Sequence, residues 1–293
     1  MHLVFVHGIN NQDRSERQII DEWLGALGRV LSSSDMATIR AAEIVAPYYG
    51  DVLYAATMRQ SKAGIEPVAQ SVADAPGDEA EFYRQALEDM APAAGVTESD
   101  VAAEVAAKEA VEQGFPHDRR LLGLLRALEF VSPFRGSLVL RFLPQAFVYL
   151  HRDAVANEID AIVRPVIKNQ PSVIVGHSLG SVVTFKLIRA EEAIRVPFYL
   201  TLGSPLALAA VQNAIGPAFG RPDYVRSWLN GLDRDDAVTI GRSLTDTAFG
   251  PGIVNIDDID NGDENPHDIC MYLRDHRIAE ALVRAVSGGN GIR

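Results

Sequence analysis

The segment 172–180, Ser-Val-Ile-Val-Gly-His-Ser-Leu-Gly, joins an apolar run of strand length to a glycine-flanked serine, and a helix-like run, 181–190, follows it directly. A G-x-S-x-G sequence between a buried strand and a helix is typical of a sharp turn that exposes the serine hydroxyl at the positive end of the helix. Side chains at Gly176 or Gly180 would collide with the neighbouring strand or helix. The segment predicts a strand–turn–helix unit with Ser178 as candidate nucleophile; the alternative is a serine that only caps the helix.

Apolar runs of strand length alternate with helix-period segments along most of the chain. The predicted strands are 2–6, 42–47, 172–176, 197–202, 225–231 and 252–256. The predicted helices are 14–31, 151–168, 178–192 and 270–286. Strand–helix alternation with strands that are apolar on both faces predicts an α/β fold, with a mostly parallel central sheet flanked by helices. We expect residues 1–293 to form a single domain with one insertion.

Residues 52–150 interrupt this alternation and predict a helical cap inserted into the domain. The first part, 74–112, is acidic and rich in alanine, which is typical of a solvated helical face. The second part, 115–152, is rich in leucine and phenylalanine and is punctuated by arginines. Such a segment either packs on the body of the protein, which we favour, or holds an acyl chain and contacts a lipid surface as a peripheral membrane element.

Charge, cysteine content and hydropathy exclude several classes of protein. The chain has 27 Lys and Arg against 39 Asp and Glu, a net charge of -12, which argues against non-specific nucleic-acid binding. Cys270 is the single cysteine, so no intramolecular disulfide can form, and its apolar neighbours favour buried packing over a nucleophilic role. We expect a cytoplasmic protein, because the N-terminal strand lacks the features of a secretory signal and no run reaches the ~18–20 apolar residues of a membrane span.

A serine hydroxyl is a weak nucleophile that needs a histidine to accept its proton, an acid to orient that histidine, and backbone N–H groups to bind the oxyanion. The N-terminal strand runs into His7-Gly8, and Gly8 permits a bend that leaves the Ile9 amide facing the site. The Leu179 amide, directly after Ser178 at the helix start, is the second candidate donor. We therefore predict an oxyanion hole formed by the Ile9 and Leu179 amides.

The His-Gly-Ile loop and the Gly-His-Ser-Leu-Gly motif resemble those of the α/β-hydrolase superfamily, and within it those of the lipase and serine-esterase branch. The resemblance covers about 2–50 and 150–290 and leaves out the cap. The first strand of this chain resembles the family's third strand, so the antiparallel hairpin that usually opens the fold is expected to be missing.

The resemblance implies a serine hydrolase that cleaves a carboxylic ester through a Ser-His-Asp triad and an acyl-enzyme, without a cofactor or a metal. The same three residues would also serve a thioesterase, an amidase or an acyltransferase. A non-catalytic binding module that kept the fold is the alternative from another class. The implied partner is an acyl-ester substrate, a lipid among the candidates, and the sequence leaves the oligomeric state open.

In that family the acid and then the histidine follow the nucleophile in the sequence. The segment 228–238 resembles the part that carries the acid, and three aspartates compete in it: Asp233, Asp235 and Asp236. The family pattern puts the acid directly before a small residue and a valine, which selects Asp236. Asp233 is the second candidate and Asp235 the third.

Four histidines are candidates for the general base. His267 is favoured because it lies in the loop after the strand 252–256 and before the final helix, which is where the resemblance places the catalytic histidine. His276 has charged neighbours on the final helix, so we expect it to be exposed. His7 and His177 each lie in a glycine-containing turn, for which structural roles are favoured.

The loop after the last strand is acidic and raises the question of a calcium site. Its carboxylates are Asp257, Asp258, Asp260, Asp263 and Glu264. Their spacing does not match the helix–loop–helix calcium pattern, because Ile259 stands three positions before Gly262, where an oxygen ligand is needed. No metal site is predicted.

Overall fold

A computed structural model of the protein describes residues 1–60, 75, 77–109, 119–191, 193–289 and 291. Its strands are β1 (His2–Val6), β2 (Glu43–Val45), β3 (Ser172–His177), β4 (Phe198–Leu202), β5 (Trp228–Asp233) and β6 (Ile253–Ile259). They form a six-stranded sheet in the order β2-β1-β3-β4-β5-β6, and every neighbouring pair is parallel. The predicted α/β class with a parallel sheet is confirmed, and each predicted strand is present.

The α-helices of the described residues are α1 (Glu16–Leu27), α2 (Ser33–Arg40), α3 (Gly50–Gln60), α4 (Gly77–Ala93), α5 (Glu98–Glu109), α6 (Arg119–Val131), α7 (Pro133–His151), α8 (Asp153–Lys168), α9 (Leu179–Ala190), α10 (Ala209–Ile215), α11 (Ile269–Tyr272) and α12 (His276–Val286). A 3-10 turn, Pro205–Ala207, precedes α10.

Several predicted boundaries were wrong for identifiable local reasons. The last helix is split into α11 and α12, because the Asp275 side chain accepts hydrogen bonds from the Arg277 and Ile278 amides and starts a new helix. The first helix begins at Glu16 and not at 14, since Ser15 and Gln18 form a capping box at its N-terminus, and it ends at Leu27 and not at 31. Helix α2, which follows it, was not predicted.

The two faces of the sheet are covered by different helices. Alternate strand residues point to opposite faces, so Leu3 and Phe5 of β1 belong to a core shared with α1, α2 and α12. Val4 and Val6 of the same strand belong to the core on the other face, which includes residues of α3, α4 and α6 to α10. Both faces of the parallel sheet are therefore buried, as its continuous apolar strands require.

The described parts of the insertion contain helices that pack on the second of these faces. The leucines of α6 are almost fully buried: Leu121, Leu122, Leu124, Leu125 and Leu128. They belong to the same apolar cluster as the sheet residues Val4 and Ile174, so the described part of the cap packs on the body of the protein. Phe130, at the end of α6, is instead 81% exposed.

Parts of the predicted cap lie outside the described residues, namely 61–74, 76 and 110–118, among them Phe115 and the end of the acidic first part. Within the portions that are described, no helix is both long enough and apolar enough to cross a membrane.

The sheet topology fixes where a site can form. The connection after β1 leads to β2 on one side, and the connection after β3 leads to β4 on the other side. Adjacent parallel strands whose connections leave in opposite directions create a crevice outside their carboxyl ends. The His7-Gly8 loop follows β1 and Ser178 follows β3, so both lie at this crevice.

Candidate active site

Ser178 occupies a sharp, buried turn between β3 and α9. Its backbone has φ 53° and ψ -130°, a conformation that non-glycine residues rarely adopt, and the residue is 0% exposed. The Ser178 amide donates to the Leu202 carbonyl at 3.0 Å, and the Ser181 hydroxyl donates to the Ser178 carbonyl at 2.6 Å. The side chain makes no capping hydrogen bond to α9, so the helix-cap alternative is wrong.

The flanking glycines are required by the close packing around this turn. A Cβ on Gly176 would lie 2.8 Å from the Ser181 Cα, and a Cβ on Gly180 would overlap the Val6 carbonyl. Both distances are too short for real contacts, so neither position accepts a side chain without backbone movement. The steric argument made from the sequence for these two glycines is confirmed.

The loop after β1 touches the serine. A Cβ on Gly8 would lie 2.5 Å from the Ser178 Cβ, which shows how closely the two backbones approach. The Gly8 carbonyl accepts hydrogen bonds from His7 Nδ1 at 2.9 Å and from Asn11 Nδ2 at 3.2 Å. Because the peptide is trans, the Ile9 N–H points away from these two donors. The Gly8–Ile9 peptide is thus held in one orientation beside Ser178.

The second predicted donor follows Ser178 directly. Leu179 is the first residue of α9 and is fully buried. An amide at this position has no acceptor within its own helix and lies at the positive end of the helix dipole. The Ile9 and Leu179 amides therefore belong to the two chain segments that meet at Ser178.

His267 and Asp236 form a buried pair. His267 Nδ1 donates to Asp236 Oδ2 at 2.7 Å, and the residues are 6% and 1% exposed. Asp236 Oδ1 accepts from the Val238 amide at 2.9 Å, which fixes the carboxylate plane. Among the described residues, the His267 Nε2 atom has no hydrogen-bond partner, although it is buried. A histidine held by an acid at Nδ1 and free at Nε2 is arranged to accept a proton.

The turn after β4 lies between this pair and the serine. A Cβ on Gly203 would lie 3.1 Å from both Asp236 Oδ2 and His267 Nδ1, and Leu202 just before it accepts the Ser178 amide. Gly203 has φ 56°, which favours glycine. The Ser178 Oγ atom is buried and, within the described part of the chain, makes no hydrogen bond. Ser178 Oγ and His267 Nε2, two buried polar atoms without a hydrogen-bond partner among the described residues, therefore belong to residues next to the turn after β4.

The structure separates the three aspartates by their partners. Asp233, the last residue of β5, is held by backbone amides: Oδ1 accepts from the Asp235 amide and Oδ2 from the Asn261 amide of the loop after β6, each at 2.7 Å. Burial raises the pKa of Asp233. Asp235 is exposed and pairs with Arg135 of α7 at 2.9 Å. Asp236 alone of the three contacts His267.

Tyr272 is a site residue that the sequence did not reveal. Its hydroxyl donates to Asp236 Oδ2 at 2.8 Å and accepts the Asp233 amide at 3.0 Å. Burial, followed by the Asp236 charge, raises the Tyr272 pKa well above its usual value, so the hydroxyl keeps its proton and remains a donor. Tyr272 is the last residue of the short helix α11. It lies in an apolar run of the sequence, where a tyrosine is usually interpreted as a core residue.

The remaining histidines of the two turns have structural contacts. His7 stacks on Tyr49, and its Nε2 accepts the Tyr49 amide at 3.3 Å. Burial lowers the His7 pKa to about 4, so the ring is neutral near pH 7. His177 donates from Nε2 to the His267 carbonyl at 3.0 Å, and burial keeps its pKa well below the usual value. His177, the residue directly before Ser178, is therefore bonded to the backbone of His267.

The other candidate groups lie apart from this cluster. Cys270 is only half-buried, which corrects the buried position expected from its neighbours, and burial raises its thiol pKa to about 12. His276 is exposed, as expected. In the acidic loop, Asp257 lies near Arg234 and Asp258 pairs with Arg277. The described residues contain no group of three or more His, Cys, Asp or Glu that could hold a metal ion.

No protein-family model matches the sequence, and no curated protein matches it.

Proposed function

We propose that this chain is a serine hydrolase with an α/β-hydrolase fold that cleaves carboxylic esters, in the manner of lipases and esterases. One observation carries the proposal: a buried His267–Asp236 pair at 2.7 Å and a buried serine on a strained turn, with Ser178 Oγ and His267 Nε2 both lacking partners among the described residues. Ser178 Oγ and His267 Nε2 do not hydrogen-bond to each other in this structure. The turn at 202–203 contacts both residues, and catalytic hydrogen bonds are often long in the absence of substrate and tighten when it binds.

In the proposed reaction, the same groups act first in acylation of the serine and then in deacylation. His267 Nε2 takes the proton of Ser178 Oγ as the serine attacks the acyl carbon, and Asp236 stabilises the imidazolium through Nδ1. The Ile9 and Leu179 amides hold the oxyanion. The protonated His267 then gives its proton to the leaving alcohol, and a water activated by the same histidine releases the acyl group from Ser178.

The topology supports the fold assignment. The sheet has β3, which carries the nucleophile, next to β1, which carries the oxyanion loop. Acid and histidine follow β5 and β6, so all site residues lie at the carboxyl edge of one parallel sheet. The strands of the described residues are all parallel.

An apolar acyl group fits the surroundings of the serine. The Ser178 residue is fully buried, and the core on its side of the sheet joins the described cap helices in one apolar cluster. A catalytic serine buried beneath apolar side chains favours a substrate whose acyl chain can pack against those side chains. The arginine-bordered α6 with its exposed Phe130 keeps a lipid ester among the candidate substrates.

Pre-steady-state hydrolysis of p-nitrophenyl esters tests the proposal. An activated p-nitrophenyl ester should acylate the serine faster than the acyl-enzyme is hydrolysed, so the wild type should release nitrophenol in a burst of about one equivalent followed by steady turnover. Ser178→Ala and His267→Ala should remove the burst and lower kcat by at least about 1,000-fold, while His276→Ala, an exposed histidine, should match the wild type. Wild-type hydrolysis that survives Ser178→Ala unchanged would overturn the proposal. Comparing esters with thioesters, amides and alcohol acceptors then identifies the preferred bond and acceptor.

A further inference from the structure

Gln145 of helix α7 reaches out of the cap and binds the loop after β1. Its Oε1 accepts the Asn10 amide at 3.3 Å, and its Nε2 donates to Asn10 Oδ1 at 3.2 Å. A third contact, from Nε2 to the Arg141 carbonyl of the same helix at 3.4 Å, orients the amide group. Gln145 is 6% exposed, so these are the contacts of a buried side chain.

Asn10 has a backbone conformation that few residue types adopt. Its φ is 58°, a left-handed value that asparagine accepts more readily than most residues, and the residue as a whole is exposed. The residues on either side of Asn10 have other partners: the Tyr49 hydroxyl donates to the His7 carbonyl and the Tyr48 hydroxyl to the Asn11 carbonyl, while the His7 and Asn11 side chains bind the Gly8 carbonyl. Gln145 is therefore a distant residue, 135 positions along the chain, that fixes both the main chain and the side chain of Asn10.

We propose that Gln145 is a positioning residue that sets the oxyanion loop, so that cap helix α7 shapes the oxyanion hole. The inference rests on the proposed function, in which the Ile9 amide is an oxyanion donor. Ile9 directly precedes Asn10, and the atoms that Gln145 holds are therefore one residue away from the donor. A shift of the loop would move the Ile9 N–H away from the oxyanion without moving Ser178, His267 or Asp236.

This role predicts a selective kinetic defect. An oxyanion donor acts mainly in the transition state, so its displacement lowers kcat and leaves KM nearly unchanged. Misplacement of about 1 Å can cost roughly 100-fold, and a loop that is loosened rather than removed should cost about 10-fold to 100-fold. Inhibition by a trifluoromethyl ketone, whose adduct carries the oxyanion, should weaken by the same factor as kcat/KM falls.

Gln145→Met tests the proposal, because methionine has a similar length and removes both hydrogen bonds to Asn10. The matched control is Tyr149→Phe on the same helix, which removes a buried hydrogen bond to Asp160 at 2.9 Å and does not touch the loop. We expect Gln145→Met to lower kcat 10-fold to 100-fold and to raise the trifluoromethyl ketone Ki equally. Tyr149→Phe should lose stability and keep both values.

Asn10→Gly tests the same contact from the other side and leaves the cap core intact, so the inference stays testable if Gln145→Met does not fold. Glycine accepts the left-handed φ, and the variant loses the bond to Gln145 Nε2. The double variant should lose little more than Gln145→Met alone, since both changes remove one interaction.

The two claims can fail separately. A wild type without Ser178-dependent hydrolysis defeats the proposed function. An active, Ser178-dependent wild type whose kcat and ketone Ki are unchanged in Gln145→Met and in Asn10→Gly defeats the role of Gln145 alone. Equal losses in Gln145→Met and Tyr149→Phe would also defeat it, because they would indicate a general effect on α7.

Discussion

Two hydrogen bonds end on one carboxylate oxygen, Asp236 Oδ2: one from His267 Nδ1 at 2.7 Å and one from the Tyr272 hydroxyl at 2.8 Å. The third bond to this carboxylate comes from the Val238 amide. A buried carboxylate with three donors is fixed in position and remains paired without water. At the scale of single residues, this convergence distinguishes Asp236 from Asp233, which receives only backbone amides of its own loop and of the neighbouring acidic loop.

Asp236→Asn should lower kcat by roughly 10,000-fold, because an amide at this position no longer stabilises the histidine in the required tautomer. Steady-state kinetics on a p-nitrophenyl ester measures the effect. Asp235→Asn should match the wild type. Asp233→Asn should cost about 1–3 kcal/mol of unfolding free energy, since its new amide N–H faces backbone N–H donors. If Asp233→Asn folded stably but lost its kcat, the assignment of Asp236 as the acid would be wrong.

Tyr272→Phe should lower kcat about 10-fold with little change in KM, because Asp236 keeps its bond to His267 and loses one of its restraints. The same change leaves the Asp233 amide without its acceptor, so thermal unfolding should also shift down. An unchanged kcat in Tyr272→Phe would show that the tyrosine contributes to packing and not to the reaction.

Two residues that the sequence selected, Asp236 and His267, are hydrogen-bonded in the structure, whereas residues outside the motifs were not identified from the sequence. Ser178 and its glycines follow from local turn chemistry, and the choice of Asp236 relied on the order of residues in a resembling family. Tyr272 and Gln145 were not identified, because each contacts a residue that is distant in the sequence, and Tyr272 also lies within an apolar run. Only the folded chain brings their polar atoms to the site.

At the scale of elements, the site consists of the turns that follow strands. Ser178, Gly203 and the His7-Gly8 loop each follow a buried parallel strand, and His267 follows β6 through a longer loop. Strands were predicted well because continuous apolar runs leave few alternatives to burial on both faces. The break between α11 and α12 was missed, because Asp275 caps a helix inside a segment whose helical periodicity continues. Burial on both faces of the sheet thus determined where the strands lie, and local capping determined where these helices begin.

Gly203→Ala should displace the pair at the centre of the site. The added Cβ would be 3.1 Å from Asp236 Oδ2, His267 Nδ1 and Tyr272 Cε2, and alanine at φ 56° costs about 1–2 kcal/mol. We expect kcat to fall at least about 10-fold together with a loss of stability. Gly25→Ala is the control: no atom lies within 4 Å of its Cβ in α1, so stability should rise by about 0.5–1 kcal/mol with unchanged kcat. Equal kinetics in both variants would contradict the tight packing at Gly203.

At the scale of the whole molecule, the sheet lies between two apolar cores, the described cap helices belong to one of them, and two histidines next to Ser178 and its loop are buried. His7 has a pKa of about 4 and the His177 pKa is also lowered, both by burial, and each ring contacts the site. A histidine that is neutral in the folded state and charged in the unfolded state lowers stability as the pH falls. The composition predicted the core, but not that two of its members would be ionisable.

The unfolding free energy should therefore decrease between pH 6.5 and about 4, by at most about 1.4 kcal/mol per pH unit for each histidine. Above pH 6.5 both states are neutral and the effect vanishes. His7→Asn, which keeps a donor for the Gly8 carbonyl, should flatten the slope between pH 5 and 6.5. Urea denaturation at several pH values provides the measurement, and an identical slope in wild type and His7→Asn would contradict the buried neutral state.

The nucleophilic character of Ser178 is the claim on which the rest depends. Incubation with a fluorophosphonate, followed by intact-protein and peptide mass spectrometry, measures it without knowledge of the natural substrate. The wild type should gain one adduct located on Ser178, Ser178→Ala should gain none, and His267→Ala should react at least about 100-fold more slowly. Equal labelling of the wild type and Ser178→Ala, or labelling of neither, would contradict the account.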